Sequence, residues 1–276
     1  MNPGNFFDAL TDQRFLQYAL AGGLLASLGC GMIGPFVVVK RLTFLAGGIA
    51  HAVLGGMGIA HYLGVSPLAG ALVAALVAAL VIGAVSLKAR QREDTLIGAL
   101  WAVGMAVGIL FISRTPGYNT DLMSVLFGNI LMVTPGHLRL MAGLDLALLL
   151  LVAVFYKQFQ AVAFDEEFAR LRGVPVTFFY LLLLCMIALT VVLLIQVVGL
   201  ILVIALLTLP AAVAGQFVNS LGRMMVIAAL LGAALSTGGL AISYGPDLPA
   251  GATIILLAGG VYLLSTLLAR LLHRNG

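Results

Sequence analysis

Charged residues are scarce in this chain. They make up 9% of its 276 residues, while 62% are hydrophobic; an ordinary soluble domain carries about a quarter charged residues. That scarcity excludes a water-soluble globular protein. No polar stretch is long enough to fold as a separate soluble domain, so any energy-supplying or enzymatic module is expected on another chain. Cysteine is equally sparse. Cys30 and Cys185 both lie in apolar runs, without a CxxC pair or a Cys/His grouping, which excludes a disulfide framework and a thiolate metal centre and leaves buried free thiols. Nucleophile–base, paired-aspartate and HExxH patterns are also missing, so the chain is not expected to be an enzyme. The net charge of +4 is spread over short loops rather than along one face, which argues against a nucleic-acid partner. The first fourteen residues lack the basic, apolar and small-residue succession of a cleaved signal peptide.

What remains is a series of long apolar runs. A bilayer crossing needs about 20 apolar residues. Nine runs qualify: Phe15–Val39, Phe44–Leu63, Pro67–Leu87, Thr95–Ser113, Leu138–Tyr156, Thr177–Ile195, Val197–Gln216, Met224–Tyr244 and Gly251–Arg270. The sequence therefore predicts an all-α polytopic membrane protein, a single transmembrane domain over residues 1–276. The segment Asp121–Thr134 is too short to cross and reads as a re-entrant or interfacial helix. Lys40, Arg41, Lys88, Arg90, Arg92, Lys157, Arg170, Arg172, Arg223, Arg270 and Arg274 all fall on one side of these spans, and only Arg14, Arg114 and Arg139 on the other. The positive-inside rule makes the first side cytoplasmic. The amino terminus is then outside and the carboxyl terminus inside, in agreement with an odd number of spans.

The second span, FLAGGIAHAVLGGMGIAHYL, carries His51 near its middle. An ionisable side chain at that depth is costly and marks a pathway or a site. Gly47, His51 and Gly55 share one helix face, and Gly48, Ala52 and Gly56 the next. Small residues in such stripes either admit a neighbouring helix closely or leave room beside the imidazole for an ion. Asp145, in the fifth span, is the other intramembrane ionisable group. It is read either as an oxygen ligand for a passing cation or as a protonated carboxyl bonded to an adjacent helix. Asp247, in the outer loop YGPDLPAG, either receives a cation at the outer mouth or serves the turn chemistry for which Asp beside Pro is common. His61 and Tyr62 suit the membrane interface, Asp121 suits a helix cap, His137 and His273 read as solvated, and Pro210 is expected to kink the seventh span.

The loop between the fifth and sixth spans, FQAVAFDEEFARLRGVP, has its own pattern. Asp165 can cap a short helix with Glu166 and Glu167 in its first turn and Arg170 and Arg172 at its end, which complements the helix dipole. Gly173 suits the stop and Pro175 the start of the next span. Phe164, Phe168 and Leu171 form one apolar face. The helix is either a surface anchor or is offered to a groove in a partner.

These stretches carry a family likeness. The loop FDEEFARLRGVPV resembles the coupling helix, here residues 164–173, of permeases from ATP-binding-cassette importers for divalent metals such as zinc, manganese and iron. In order along the chain, HAVLGGMGIA, REDTLIG (92–98), PGYNTDLMSVLFGNIL (116–131), VVGLILVIALLTLPAAVA (197–214) and DLPAGATIILLAG (247–259) match as well. The resemblance implies a homodimer of permeases in the inner membrane of a prokaryote, in contact with lipid. It also implies two cytoplasmic ATPase subunits docked on the coupling helices, ATP on those subunits, and an extracytoplasmic metal-binding protein. No permanent cofactor is implied; the metal is cargo. Many family members have an aspartate four residues before the histidine, and here that position is Gly47. Loss of the carboxylate shifts the expectation towards zinc, because oxygen ligands suit manganese and imidazole suits zinc. The metal-contacting set is then His51, with Asp145 and Asp247 as candidates. A permease for a metal chelate or cobalamin-type substrate is the nearest alternative, and a secondary cation transporter the next.

Overall fold

The computed structural model describes residues 6–88, 93–115, 128 and 130–274, and these are helical almost throughout. In chain order the helices are α1 (Phe6–Asp12), α2 (Arg14–Val39), α3 (Thr43–Tyr62), α4 (Pro67–Lys88), α5 (Glu93–Arg114), α6 (Pro135–Phe164), α7 (Glu166–Leu171), α8 (Val176–Val198), α9 (Leu200–Phe217), α10 (Leu221–Tyr244) and α11 (Ala250–Arg274), with a 3₁₀ turn at Ile130–Met132 before α6. Among the described residues nine helices are long and apolar enough to cross a membrane. Each matches one of the nine spans expected from the sequence. Most of the segment Asp121–Thr134, with Asp121 itself, lies outside the described residues, as do Arg90 and Arg92.

The fifth span, expected to end at Tyr156, reaches a kink there: α6 is two helical stretches joined at Phe155, the second running on to Phe164. The backbone leaves helical torsions only at Phe155 (φ −109°, ψ 23°). Beyond that bend Phe159 and Val162 are buried, and Phe155 and Phe159 both meet the Phe179 ring edge-on at 5.5 Å. Burial of this aromatic cluster holds the helix together past its polar residues. Pro210 does not end α9, which continues through it to Phe217.

The chain divides into two compact units, with α6 and α8 contributing to both. One unit comprises residues 1–38, 123–150 and 193–276. In it α2 packs backbone to backbone: a Cβ at Gly31 would lie 2.5 Å from the Ala229 Cα on α10. Ser27 donates to the Gly23 carbonyl at 2.7 Å, and its hydroxyl also lies 3.1 Å from that of Ser236. Buried hydroxyls thereby find partners inside the membrane-spanning part. Gly199, at φ 81°, ψ 163°, separates α8 from α9 in a single residue, a backbone conformation that suits glycine because it has no Cβ.

The other unit comprises residues 39–122 and 151–192. Its centre is α3 held between α4 and α5. A Cβ at Gly104 of α5 would lie 2.6 Å from the Ala52 Cα, and one at Gly58 of α3 would lie 2.6 Å from the Gly108 carbonyl oxygen. Glycine is required wherever backbones approach this closely. Of the two readings the sequence left for the glycine stripes beside His51, close helix approach is therefore the one observed: Gly48 meets Ile97, Gly55 meets Gly104, and Gly56 meets Gly70 of α4.

Candidate functional site

His51 lies in the middle of α3 and is 8% exposed. Its Nδ1 is 2.8 Å from the carbonyl oxygen of Gly47, one turn earlier on the same helix. A carbonyl oxygen only accepts, so Nδ1 carries the proton and donates. In the neutral ring that leaves the lone pair on Nε2. Metal-ligating histidines are held in this way, with the second ring nitrogen donating to a carbonyl or carboxylate. The position where the family's aspartate is expected thus still acts on His51, through its backbone rather than a side chain.

The ring stacks on the indole of Trp101 in α5, with centroids 3.9 Å apart and planes inclined by 21°. Phe44 packs against the other part of the same indole, centroids 6.1 Å apart. The contact fixes the imidazole orientation and exists because the α3–α5 seam is lined by glycine. Trp101 was missed in the sequence, although it is the chain's only tryptophan. In the structure Trp101 and His51 each lie eight residues beyond the first residue of their helix (93 to 101, 43 to 51). Two helices running in the same direction with glycine at matching intervals bring such residues to one level.

Among the described residues no group of three or more His, Cys, Asp or Glu side chains could hold a metal ion. Asp145 and Asp247 belong to the first unit and His51 to the second. Asp145, on α6, is 3% exposed, and its Oδ2 is buried without a hydrogen bond among the described residues. Asp247 adopts a left-handed backbone, φ 55°, which Asp tolerates in turns. It lines a cavity of about 310 Å³ with Gly128, Ile130, Leu131, Leu248 and Pro249. Cys30 is buried, Cys185 partly so, and both are free thiols. Tyr62, at the end of α3, is half exposed and meets Phe111 edge-on at 5.3 Å. His137 sits at the start of α6, where its backbone N–H donates to the Thr134 hydroxyl at 3.4 Å.

The helix α7 has the local chemistry its sequence dictates. Asp165 is extended (φ −149°, ψ 102°), and its Oδ1 accepts from the Phe168 N–H at 2.9 Å. That bond satisfies one of the N-terminal donors a helix leaves open. Gly173, at φ 75°, closes the other end, with its N–H donating to the Arg170 carbonyl and that of Val174 to Ala169, both at 3.0 Å. Ala169 is fully buried; Phe164, Phe168 and Leu171 are 59%, 49% and 88% exposed. Glu167 and Arg170 point to solvent beside them, and Arg170 lies 3.9 Å from Glu166 one turn back. Phe168 and Leu171 on this six-residue helix, held by a cap and a glycine stop, form with Phe164 at the end of α6 a hydrophobic projection.

One ion pair seats this helix. Lys40, between α2 and α3, pairs with Glu166 and also donates to the Val162 carbonyl at 3.0 Å. Its ammonium lies 5.3 Å over the Tyr180 ring, and the Tyr180 hydroxyl lies 2.9 Å from that of Ser86. The sequence used Lys40 only as a marker of orientation.

Comparison with known proteins agrees with this architecture. The ABC 3 transport family model matches residues 12–269. An uncharacterized membrane protein of Synechocystis is 50% identical over 91% of this chain and 90% of its own length. The manganese transport system membrane protein MntC of Halalkalibacterium halodurans is 36% identical over 94% of this chain and 89% of its own. Among solved structures, PsaBC from Streptococcus pneumoniae in complex with Fab superposes with a TM-score of 0.85 at 36% identity, covering 94% of both chains. With nine membrane-length helices, family-wide alignment and a shared fold, the chain is a multi-pass permease belonging to the ABC 3 transport family, as its resemblance to metal-importer permeases implies.

Proposed function

We propose that this chain is the permease of an ATP-driven importer that moves a divalent transition-metal ion into the cytoplasm, the whole of residues 1–276 acting as one transmembrane domain. The observation that carries the reading is His51: buried mid-helix, oriented by the Gly47 carbonyl and the Trp101 ring, with its Nε2 lone pair left for an ion. An imidazole held in that state binds a transition metal without itself needing to lose a proton. A site of few ligands also suits transit, since an ion caged by four protein ligands would not leave. Asp247 is proposed to receive the cation at the outer mouth. Asp145, whose Oδ2 has no hydrogen bond among the described residues, is proposed as an oxygen donor to the cation.

Two observations bear on the metal. The name of MntC favours manganese, whereas an imidazole without a neighbouring carboxylate at position 47 favours zinc. They point to different ions, so the proposal is made for the class. The partners follow from the family: a second permease, cytoplasmic ATPase subunits that receive Phe168 and Leu171 of α7 with the adjoining Phe164, and an extracytoplasmic metal-binding protein. ATP binding on the partners would press on α7 and switch the pathway between outward and inward access. The amino terminus lies outside and the carboxyl terminus in the cytoplasm.

The test is uptake by the complete complex in proteoliposomes, with manganese, zinc and iron in competition. ATP-dependent accumulation of one of the three, suppressed by an excess of that ion unlabelled, is expected. Absence of ATP-dependent uptake for all three overturns the reading.

A further inference from the structure

Lys40 is placed unlike the other basic residues that mark the same side of the spans. Its ammonium is shared between the Val162 carbonyl in the last turn of α6, the Glu166 carboxylate in the first turn of α7, and the face of Tyr180 on α8. The Lys40 side chain is 12% exposed and that of Glu166 19%. An exposed lysine pair is screened by solvent and contributes little. This pair is mostly out of water, so removing Lys40 takes from Glu166 its close, shielded cation, while the 60%-exposed Arg170 stays 3.9 Å away; a shielded charge depends on its partner more than an exposed one does.

The backbone position of Lys40 gives the contact its consequence. Three residues later α3 begins at Thr43, and His51 follows eight residues into that helix. Helix α3 is unbroken from Thr43 to Tyr62, and between its first turn and His51 it meets α5 directly, Gly48 against Ile97. Arg41, next to Lys40, is held at φ 58°. That is a left-handed conformation disfavoured for a long side chain, as expected where the chain is pinned from both sides. At its other end the strut meets α7, whose large apolar side chains are exposed and whose fully buried residue is Ala169.

We propose that Lys40 is the positioning residue through which α7 acts on the metal path: the Lys40–Glu166 pair carries a displacement of α7 to the start of α3 and so to the His51–Trp101 pair. The inference rests on the coupling role proposed for α7 and adds the route by which that role reaches the ion. Lys40 touches neither the ion nor the ATPase. A residue that merely stitches a loop would affect assembly and stability, whereas a transmitting residue changes how much transport each hydrolysed ATP yields.

The experiment uses the complete complex in proteoliposomes and reads three quantities for each variant: ATPase subunit retained, ATP hydrolysed, and metal taken up. Lys40→Met is expected to retain the ATPase subunit and its hydrolysis, while uptake per ATP falls about tenfold, within the usual range of coupling between sites. Lys40→Arg, which keeps a cation with donors at the same place, is expected to restore most of the ratio. An unchanged ratio in Lys40→Met overturns the proposal. So does release of the ATPase subunit by Lys40→Met, or failure of Lys40→Arg to differ from it. Failure of the underlying reading is visible separately: if Leu171→Asp also leaves the ATPase subunit bound, α7 is not the docking helix at all.

Discussion

Substitution of Gly104 by alanine places one methyl group where the α3 and α5 backbones touch. Its Cβ would lie 2.6 Å from the Ala52 Cα and 3.3 Å from the Ala52 carbonyl oxygen. Both are backbone atoms with no rotamer to adjust, and Ala52 is the residue after His51. Restoring ordinary contact requires the two helices to part by roughly 0.8 Å at that level, since close-packed interiors do not absorb overlap. Overpacking of this kind costs about 1–3 kcal/mol, against which any helix gains up to about 1 kcal/mol when glycine becomes alanine. Gly98→Ala separates the two effects. Gly98 is in the same helix, and a Cβ there meets nothing within 4 Å, so it takes the propensity gain without the clash. The purified permease in nanodiscs should therefore unfold at lower temperature with Gly104→Ala than with Gly98→Ala, the two differing by about 1–3 kcal/mol. Trp101, the sole tryptophan, supplies a second readout: its emission should shift in Gly104→Ala as the 3.9 Å stack on His51 loosens, and stay unchanged in Gly98→Ala. Equal stability and identical emission for the two variants would refute the account of the α3–α5 seam.

Other outcomes follow from the same structure. Asp165→Ala removes the carboxylate that accepts from the Phe168 N–H, costing the α7 fold about 1 kcal/mol; ATPase subunits should co-purify less well, and Asp165→Ser should restore them. Leu171→Asp puts a charge at the most exposed apolar position of α7, and pull-down of the ATPase subunit from detergent extracts should be lost without a change in permease yield. Asp145→Asn keeps the size of a buried side chain whose Oδ2 has no hydrogen bond among the described residues. Folding by fluorescence-detected size exclusion should be unaltered, while uptake falls; wild-type uptake would remove Asp145 from the path.

The membrane architecture was legible because it is written locally. Apolar runs of sufficient length mark all nine spans, and the Asp165 cap, the spacing of Phe164, Phe168 and Leu171 and the Gly173 stop mark α7. The fifth span ends in the sequence at Tyr156, beside the Phe155 kink of α6; the helical stretch beyond it was not legible, because the burial that carries it to Phe164 comes from Phe179, on another helix. His51 was visible as a buried ionisable residue, but its setting was not. The Trp101 ring lies on a helix two spans away, and the Gly47 carbonyl is a backbone group that no side-chain motif records. Lys40 shows the same limit more sharply, since its carboxylate partner is 126 residues along the chain.

The central claim, that His51 touches the passing ion, is tested most directly by uptake of radiolabelled metal into proteoliposomes containing the assembled complex with His51→Ala. Retention of the ATPase subunit and the thermal stability of the complex are checked in the same preparation. Removing a metal-contacting imidazole should lower the initial rate by at least about tenfold, the lower end of what even an outer-shell partner contributes to a metal site. Uptake at the wild-type rate in a fully assembled complex would contradict the account.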